Sequence, residues 1–235
     1  MLAVYKKEMR SYFTSVIGYV FLVLYLAMAG AVFCYTTLFS MSADVTTFYT
    51  FMLIVSSVML PLLTMKSFSE ERKTKTEQLL LTSPVSIIGI VSGKFLAAYT
   101  VFAACMLLNS LYFFILLGYA SLKVAVLFGN LLAILLVGLV YVAIGLFVSS
   151  LTENQLSAAV GTMAIIIGFL LVGVVGPLIP SSYAIRYVFD FISIFTRFQA
   201  FTAGYLDIAA LFYYISVAFV FLYLTVRIYD RRRYS

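Results

Sequence analysis

The side chains able to do chemistry are few in this sequence, and many of them gather in residues 66–94. The stretch opens Lys66-Ser67-Phe68-Ser69-Glu70-Glu71-Arg72-Lys73-Thr74-Lys75-Thr76-Glu77 and closes on Gly89-Ile90-Val91-Ser92-Gly93-Lys94-Phe95. The closing run invites comparison with a phosphate-binding loop, which needs four residues between its glycines and Ser or Thr after the lysine. Here the glycines enclose three residues, Phe95 follows the lysine, and the run leads into an apolar segment instead of following a strand. The match fails, so no nucleotide site is expected on this chain. The sequence has no histidine, which removes the commonest proton shuttle and metal ligand. Cys34 and Cys105 stand apart in apolar runs without CxxC spacing, as small packing residues do. Neither a catalytic residue nor a metal site is expected.

The elements that hold these residues are dictated by composition. Of 235 residues, 64% are apolar and only 10% charged, against about 45–50% and about 25% in soluble domains. The excess apolar surface calls for lipid. Windows of membrane-crossing length place spans near residues 16–38, 48–65, 95–117, 125–148, 156–179 and 208–228. The predicted class is therefore an all-α integral membrane protein, a single transmembrane domain over 1–235 with no room for a separate catalytic domain.

Orientation follows from the cations. An even number of spans leaves both termini on one side. If that side is the cytoplasm, it holds Lys6, Lys7, Arg10, Lys66, Arg72, Lys73, Lys75, Lys94, Arg227, Arg231, Arg232 and Arg233, and the outside holds Lys123, Arg186 and Arg197. That asymmetry satisfies the positive-inside rule. The net charge of +6 then reports topology and attraction to anionic lipid, and no nucleic-acid partner is expected. Residues 1–15 and the start of the first span carry Leu2, Tyr5, Met9, Tyr12, Phe13 and Ile17 at helical spacing, with Lys6, Lys7 and Arg10 elsewhere around the wheel. An interfacial helix that turns up into the first span fits this pattern; a frayed basic tail is the alternative. The apolar run that follows is longer than the core of a signal peptide.

The predicted mid-membrane stretches hold no Asp, Glu, Lys or Arg, which argues against an ion-coupled carrier. They do hold small residues at helical spacing: Ser157, Gly161, Ala164 and Gly168 in the fifth span, and Gly145 with Ser149 at the end of the fourth. Such stripes permit close packing, within one subunit or between two.

Two segments outside the spans stand out. In 66–94, Glu71 to Lys75 and Lys73 to Glu77 are spaced as helical ion pairs, and Ser83-Pro84 after Leu79-Leu80-Leu81 reads as a break and a new helix start. This is either a solvated connecting helix or a docking surface for a cytoplasmic partner. In 180–207, Tyr187, Phe191, Phe195 and Phe198 recur at helical spacing with Arg197 among them. That pattern fits amphipathic helices in the outer headgroup layer, either as a plain aromatic belt or as an external gate and cargo contact.

Taken together, several motifs are similar to those of ABC-2 type transporter permeases, closest to the gliding-motility subfamily. They are Glu70-Glu71-Arg72 with Thr76-x-Gln78-Leu79-Leu80-Leu81-Thr82-Ser83-Pro84, then Gly93-Lys94-Phe95-Leu96-Ala97-Ala98, Ile17-Gly18-Tyr19-Val20-Phe21, Ala143-Ile144-Gly145-Leu146-Phe147 and Leu224-Thr225-Val226-Arg227. The resemblance spans the chain in order. It implies six spans, an N-terminal elbow helix, and external helices between the last two spans. It also implies a coupling helix carrying Glu70, Glu71, Arg72, Thr76, Glu77, Leu79 and Leu80, with residues 149–155, including Glu153, Asn154 and Gln155, as a second turn facing the ATPase. One departure is Lys75, where relatives often have glycine.

The resemblance further implies a second permease subunit, identical or different, and cytoplasmic ATP-binding subunits that hold the ATP and magnesium. An extracytoplasmic partner is compatible with it. The expected role is a permease subunit, an exporter without its own ATPase site, in a bacterial cytoplasmic membrane. The alternative is a scaffold or force-transmitting anchor that moves no solute.

Overall fold

The computed structural model describes residues 1–78, 85–116, 118, 123–175, 191–202, 204 and 207–234, with the side chains of Ile17, Val175 and Tyr234 left aside. Every regular element among them is helical: α1 (Leu2–Thr14), α2 (Val16–Phe33, widening to a π-helical turn over Cys34–Phe39), α3 (Val45–Thr64), α4 (Lys66–Lys73), α5 (Ile87–Leu116), α6 (Val124–Leu151), α7 (Gln155–Val175), α8 (Ile194–Thr202) and α9 (Ile208–Tyr234). Six helices are long and apolar enough to cross a membrane, in accord with the hydropathy pattern.

Helix α6 is the axle of the bundle. Its membrane window is 72% buried, against 28% for α7 and 22% for α9, and α3, α4, α5, α7, α8 and α9 all pack on it. Lipid offers no hydrophobic drive between helices, so close backbone approach must supply the packing. Gly145 illustrates it: a Cβ there would run into the Thr64 side chain, and the glycine lets α3 lie against α6. The small stripe of α7 is different. Ser157, Ala164 and Gly168 are exposed, and no neighbour stands within 4 Å of a Cβ built on Gly168.

Helix α1 lies across α5 and α2, but its buried line is Val4, Glu8 and Tyr12, while Leu2 and Phe13 stay exposed. The apolar face read from sequence is thus rotated, because a carboxylate takes the central inward position. Burial, with a contribution from the Glu8 charge, pushes the Tyr12 phenol up from its ordinary pKa.

Helix α5 begins at Ile87, eight residues ahead of the span read from hydropathy, with the Ser86 hydroxyl accepting from the Gly89 amide as an N-cap. Residues 79–84, which hold Leu79, Leu80 and the Ser83-Pro84 break, lie outside the described residues. Farther along α5, Asn109 is fully buried, and neither its amide nitrogen nor its oxygen has a partner among the described residues. An unmatched buried polar group costs about 1–3 kcal/mol. Asn109→Leu should therefore raise the thermal midpoint of the detergent-solubilised protein; a lowered midpoint would show that the amide is satisfied.

Candidate functional site

The charged stretch folds into a compact knot on the face of the bundle that carries both termini. At Met65 α3 gives way to α4, and the first amides of a new helix need acceptors from outside it. Ser149, fully buried near the end of α6, serves as acceptor. Its hydroxyl accepts from the amides of Phe68 and Ser69, each at 3.1 Å, and donates to the Met65 carbonyl at 3.0 Å. One hydroxyl thereby pins the first turn of α4 to the axle. The Phe68 ring stacks at 4.7 Å on Tyr229 of α9.

Two arginines then close the end of α6. The Arg72 guanidinium donates to the Leu151 carbonyl at 2.8 Å and to Glu153 Oε1 at 2.9 Å. From α9, Arg232 donates to the Ser150 carbonyl at 2.8 Å and to Glu77 Oε1 at 3.1 Å. Cations at a helix C-terminus meet both unpaired carbonyls and the negative end of the helix dipole. Glu77 also stands 3.8 Å from Arg72, so it bridges the two arginines.

The third contact is the most buried. Lys94, only 1% exposed, directs its ammonium to Glu8 Oε1 at 2.8 Å, Glu71 Oε1 at 3.0 Å and the Ser67 carbonyl at 2.7 Å, with the Phe68 ring centroid at 5.0 Å. Lys7 adds a second cation on Glu71 at 3.1 Å. A buried charge persists only when paired and hydrogen-bonded, and here α1, α4 and α5 each supply one member. Gly93 makes the geometry possible, since a Cβ there would press on Val4 of α1. The glycine-lysine run that failed as a phosphate loop is thus a packing and ion-pairing device.

The residues expected to couple to an ATPase fall into two groups. Glu71, Arg72 and Glu77 face inward as knot members, and Glu153 is half of the Arg72 pair. The helical pairs Glu71–Lys75 and Lys73–Glu77 are not formed, because α4 ends at Lys73 and both carboxylates find distant partners. Lys75 has a φ of +57°, a left-handed conformation that glycine adopts without penalty. Facing outward are Glu70, in an i,i+4 pair with Lys66 at 3.2 Å, together with Lys73, Thr74, Lys75, Thr76 and Asn154. Thr76 bonds the Thr74 hydroxyl at 2.9 Å. Asn154 caps α7 through the Leu156 amide, and Gln155 opens that helix, half-buried. Leu79 and Leu80 lie outside the described residues. Sequence reasoning gave no role to Glu8, counted Arg232 only among the cytoplasmic cations, read Ser149 as a small packing residue at the start of the ATPase-facing turn, and placed Lys94 at the end of the 66–94 segment.

At the opposite face, α8 packs on α6 and α7. Phe198 is fully buried there with Ile194 and Phe201, so it serves the core and presents no surface to a cargo. Phe191 is exposed and Phe195 half-buried. Arg197 lies over the rings of Phe191 and Tyr213, at 5.1 and 4.3 Å, and donates to the Phe191 carbonyl. Tyr187 lies outside the described residues.

Six helices long and apolar enough to cross a membrane, packed around one central helix, define a multi-pass membrane protein. The sequence matches the family described as ABC-2 family transporter protein over residues 4–229, and the chain belongs to that family. It is a transporter's membrane subunit, of a kind that works in a complex with ATP-binding subunits and normally lacks an ATPase site of its own. No curated protein matches the chain at a significant level.

Proposed function

We propose that the chain is the permease subunit of an exporter in a bacterial cytoplasmic membrane, with both termini cytoplasmic. Cytoplasmic ATP-binding subunits would seat against the outward side of α4 and the turn at residues 152–154. They would hold the ATP and magnesium, while a second permease subunit would complete the pathway. The observation that carries this reading is the knot itself. It fixes a polar edge, the half-buried Glu70 with the exposed Lys73, Thr76 and Asn154, to the central helix α6. A partner pushing on that edge moves α6 as a rigid body, and with it the helices packed around it. The order of the motifs supports the gliding-motility subfamily, and the aromatic outer face, with Phe191 exposed, supports an amphiphilic cargo or an extracytoplasmic partner.

The test should avoid Glu71, because its charge is consumed inside the knot. Glu70→Lys reverses the outward edge and gives up the Lys66 pair, a surface pair of small worth. The variant is expected to insert and to keep the wild-type thermal midpoint, while the amount of ATP-binding subunit purified with it falls at least tenfold. Undiminished co-purification with normal coupling would reject the assignment.

A further inference from the structure

A groove between the start of α5 and the last turns of α9 is lined by Ile88, Val91, Phe219, Leu222, Tyr223 and Val226, with Ser92, Arg227 and Asp230 at its polar parts, and encloses about 360 Å³. Ile88, Phe219 and Tyr223 are exposed, so the groove opens on the outer surface of the bundle within the membrane-crossing helices. Residues 219 to 230 advance about 16 Å along a helix, a length suited to one acyl chain lying alongside.

The terminal-face end of the groove is charged. Arg227 and Asp230 also line a wider cavity of about 960 Å³ with Arg231 and Arg232. The Arg227 guanidinium stacks on Tyr223, 5.2 Å from the ring, and uses its Nε to donate to the Tyr223 hydroxyl at 2.7 Å. Its two terminal nitrogens have no partner among the described residues, and a guanidinium held edge-on in this way presents a fork to a phosphate. Asp230 likewise has no hydrogen bond or ion pair among the described residues and can accept from a headgroup hydroxyl. With Arg232 offset by Glu77, the remaining charges are Arg227, Arg231 and Arg233 against Asp230, a positive balance.

We propose that this groove binds an anionic glycerophospholipid, one acyl chain against Ile88, Val91 and Phe219 and the phosphate on Arg227. The apolar trough and the guanidinium fork meet where α9 passes from apolar to basic residues, as the chain and phosphate of one lipid require. The inference needs only that the chain spans a membrane and is independent of the transport reading.

Native mass spectrometry of the purified chain in neutral detergent tests it, with phosphatidylglycerol, phosphatidylethanolamine and phosphatidylcholine titrated separately. Wild type should retain one phosphatidylglycerol at a concentration at least tenfold below that needed for either zwitterionic lipid, and about 0.5 M salt should abolish the preference as charges are screened. Arg227→Ala should lose the preference, Arg227→Lys should keep part of it, and Ser92→Phe, which fills the groove, should weaken binding. Equal retention of the three lipids, a preference for phosphatidylethanolamine, or full binding in Arg227→Ala would overturn the proposal. So would a dimer that retains no lipid, which would mean a second copy covers the groove. Should Arg227→Ala not fold, the wild-type salt response and Ser92→Phe still decide.

Discussion

Lys94→Met should be the most damaging single substitution at the terminal face, with a loss of about 3–5 kcal/mol, the usual cost of removing one partner from a buried ion pair. The wild-type ammonium is 1% exposed and serves two carboxylates and a carbonyl. Its removal leaves Glu8 and Glu71 as two like charges in the same buried space. Helix α1 loses its buried ion pair to α5, so it should loosen first, and amide exchange across Leu2–Thr14 should accelerate before the rest of the bundle changes. The triple variant Glu8→Gln, Glu71→Gln, Lys94→Met should recover much of the loss, since uncharged groups avoid the penalty that the single variant exposes. If the single variant matches wild type in thermal midpoint and α1 protection, the buried cluster does not hold the elbow.

Ser149→Ala should have the second-largest effect, about 2–3 kcal/mol, because it orphans two buried backbone amides at once. Its signature is local. The amides of Phe68 and Ser69 should lose exchange protection while those in the middle of α6 keep theirs. With α4 then tied to α6 chiefly through Arg72 and the Leu151 carbonyl, binding of the cytoplasmic partner should persist while less of its motion reaches the bundle. ATP hydrolysis by the complex would continue with less of the cargo movement it normally drives. A variant with wild-type protection at Phe68 and Ser69 would remove Ser149 from the transmission path.

Hydropathy made the six crossing helices legible, because a span is a local property that a window average detects. The knot was not, because its pairs are distant in sequence. Glu8 and Lys94 are separated by 86 positions and Arg232 and Glu77 by 155, so helical spacing rules could propose only the neighbours Lys75 and Lys73 for Glu71 and Glu77. The apolar window starts at residue 95 while α5 begins at Ile87, because Lys94 interrupts the hydropathy but not the helix, its charge being met by partners from α1 and α4. In the outer segment, periodicity did detect a helix. It could not say which face was buried, and Phe198, which the aromatic spacing had suggested for a gate, joins Ile194 and Phe201 on the core side.

The central claim, that the outward edge of α4 is where a cytoplasmic ATP-binding subunit sits, is tested most directly by a photo-crosslinking amino acid at Thr76 in intact membranes, with one at Phe219 as the lipid-facing control. The account predicts a crosslink from Thr76 to an ATP-binding subunit, strengthened or shifted when ATP is supplied, and none from Phe219. A complex that assembles normally but gives no protein crosslink at Thr76 would contradict it.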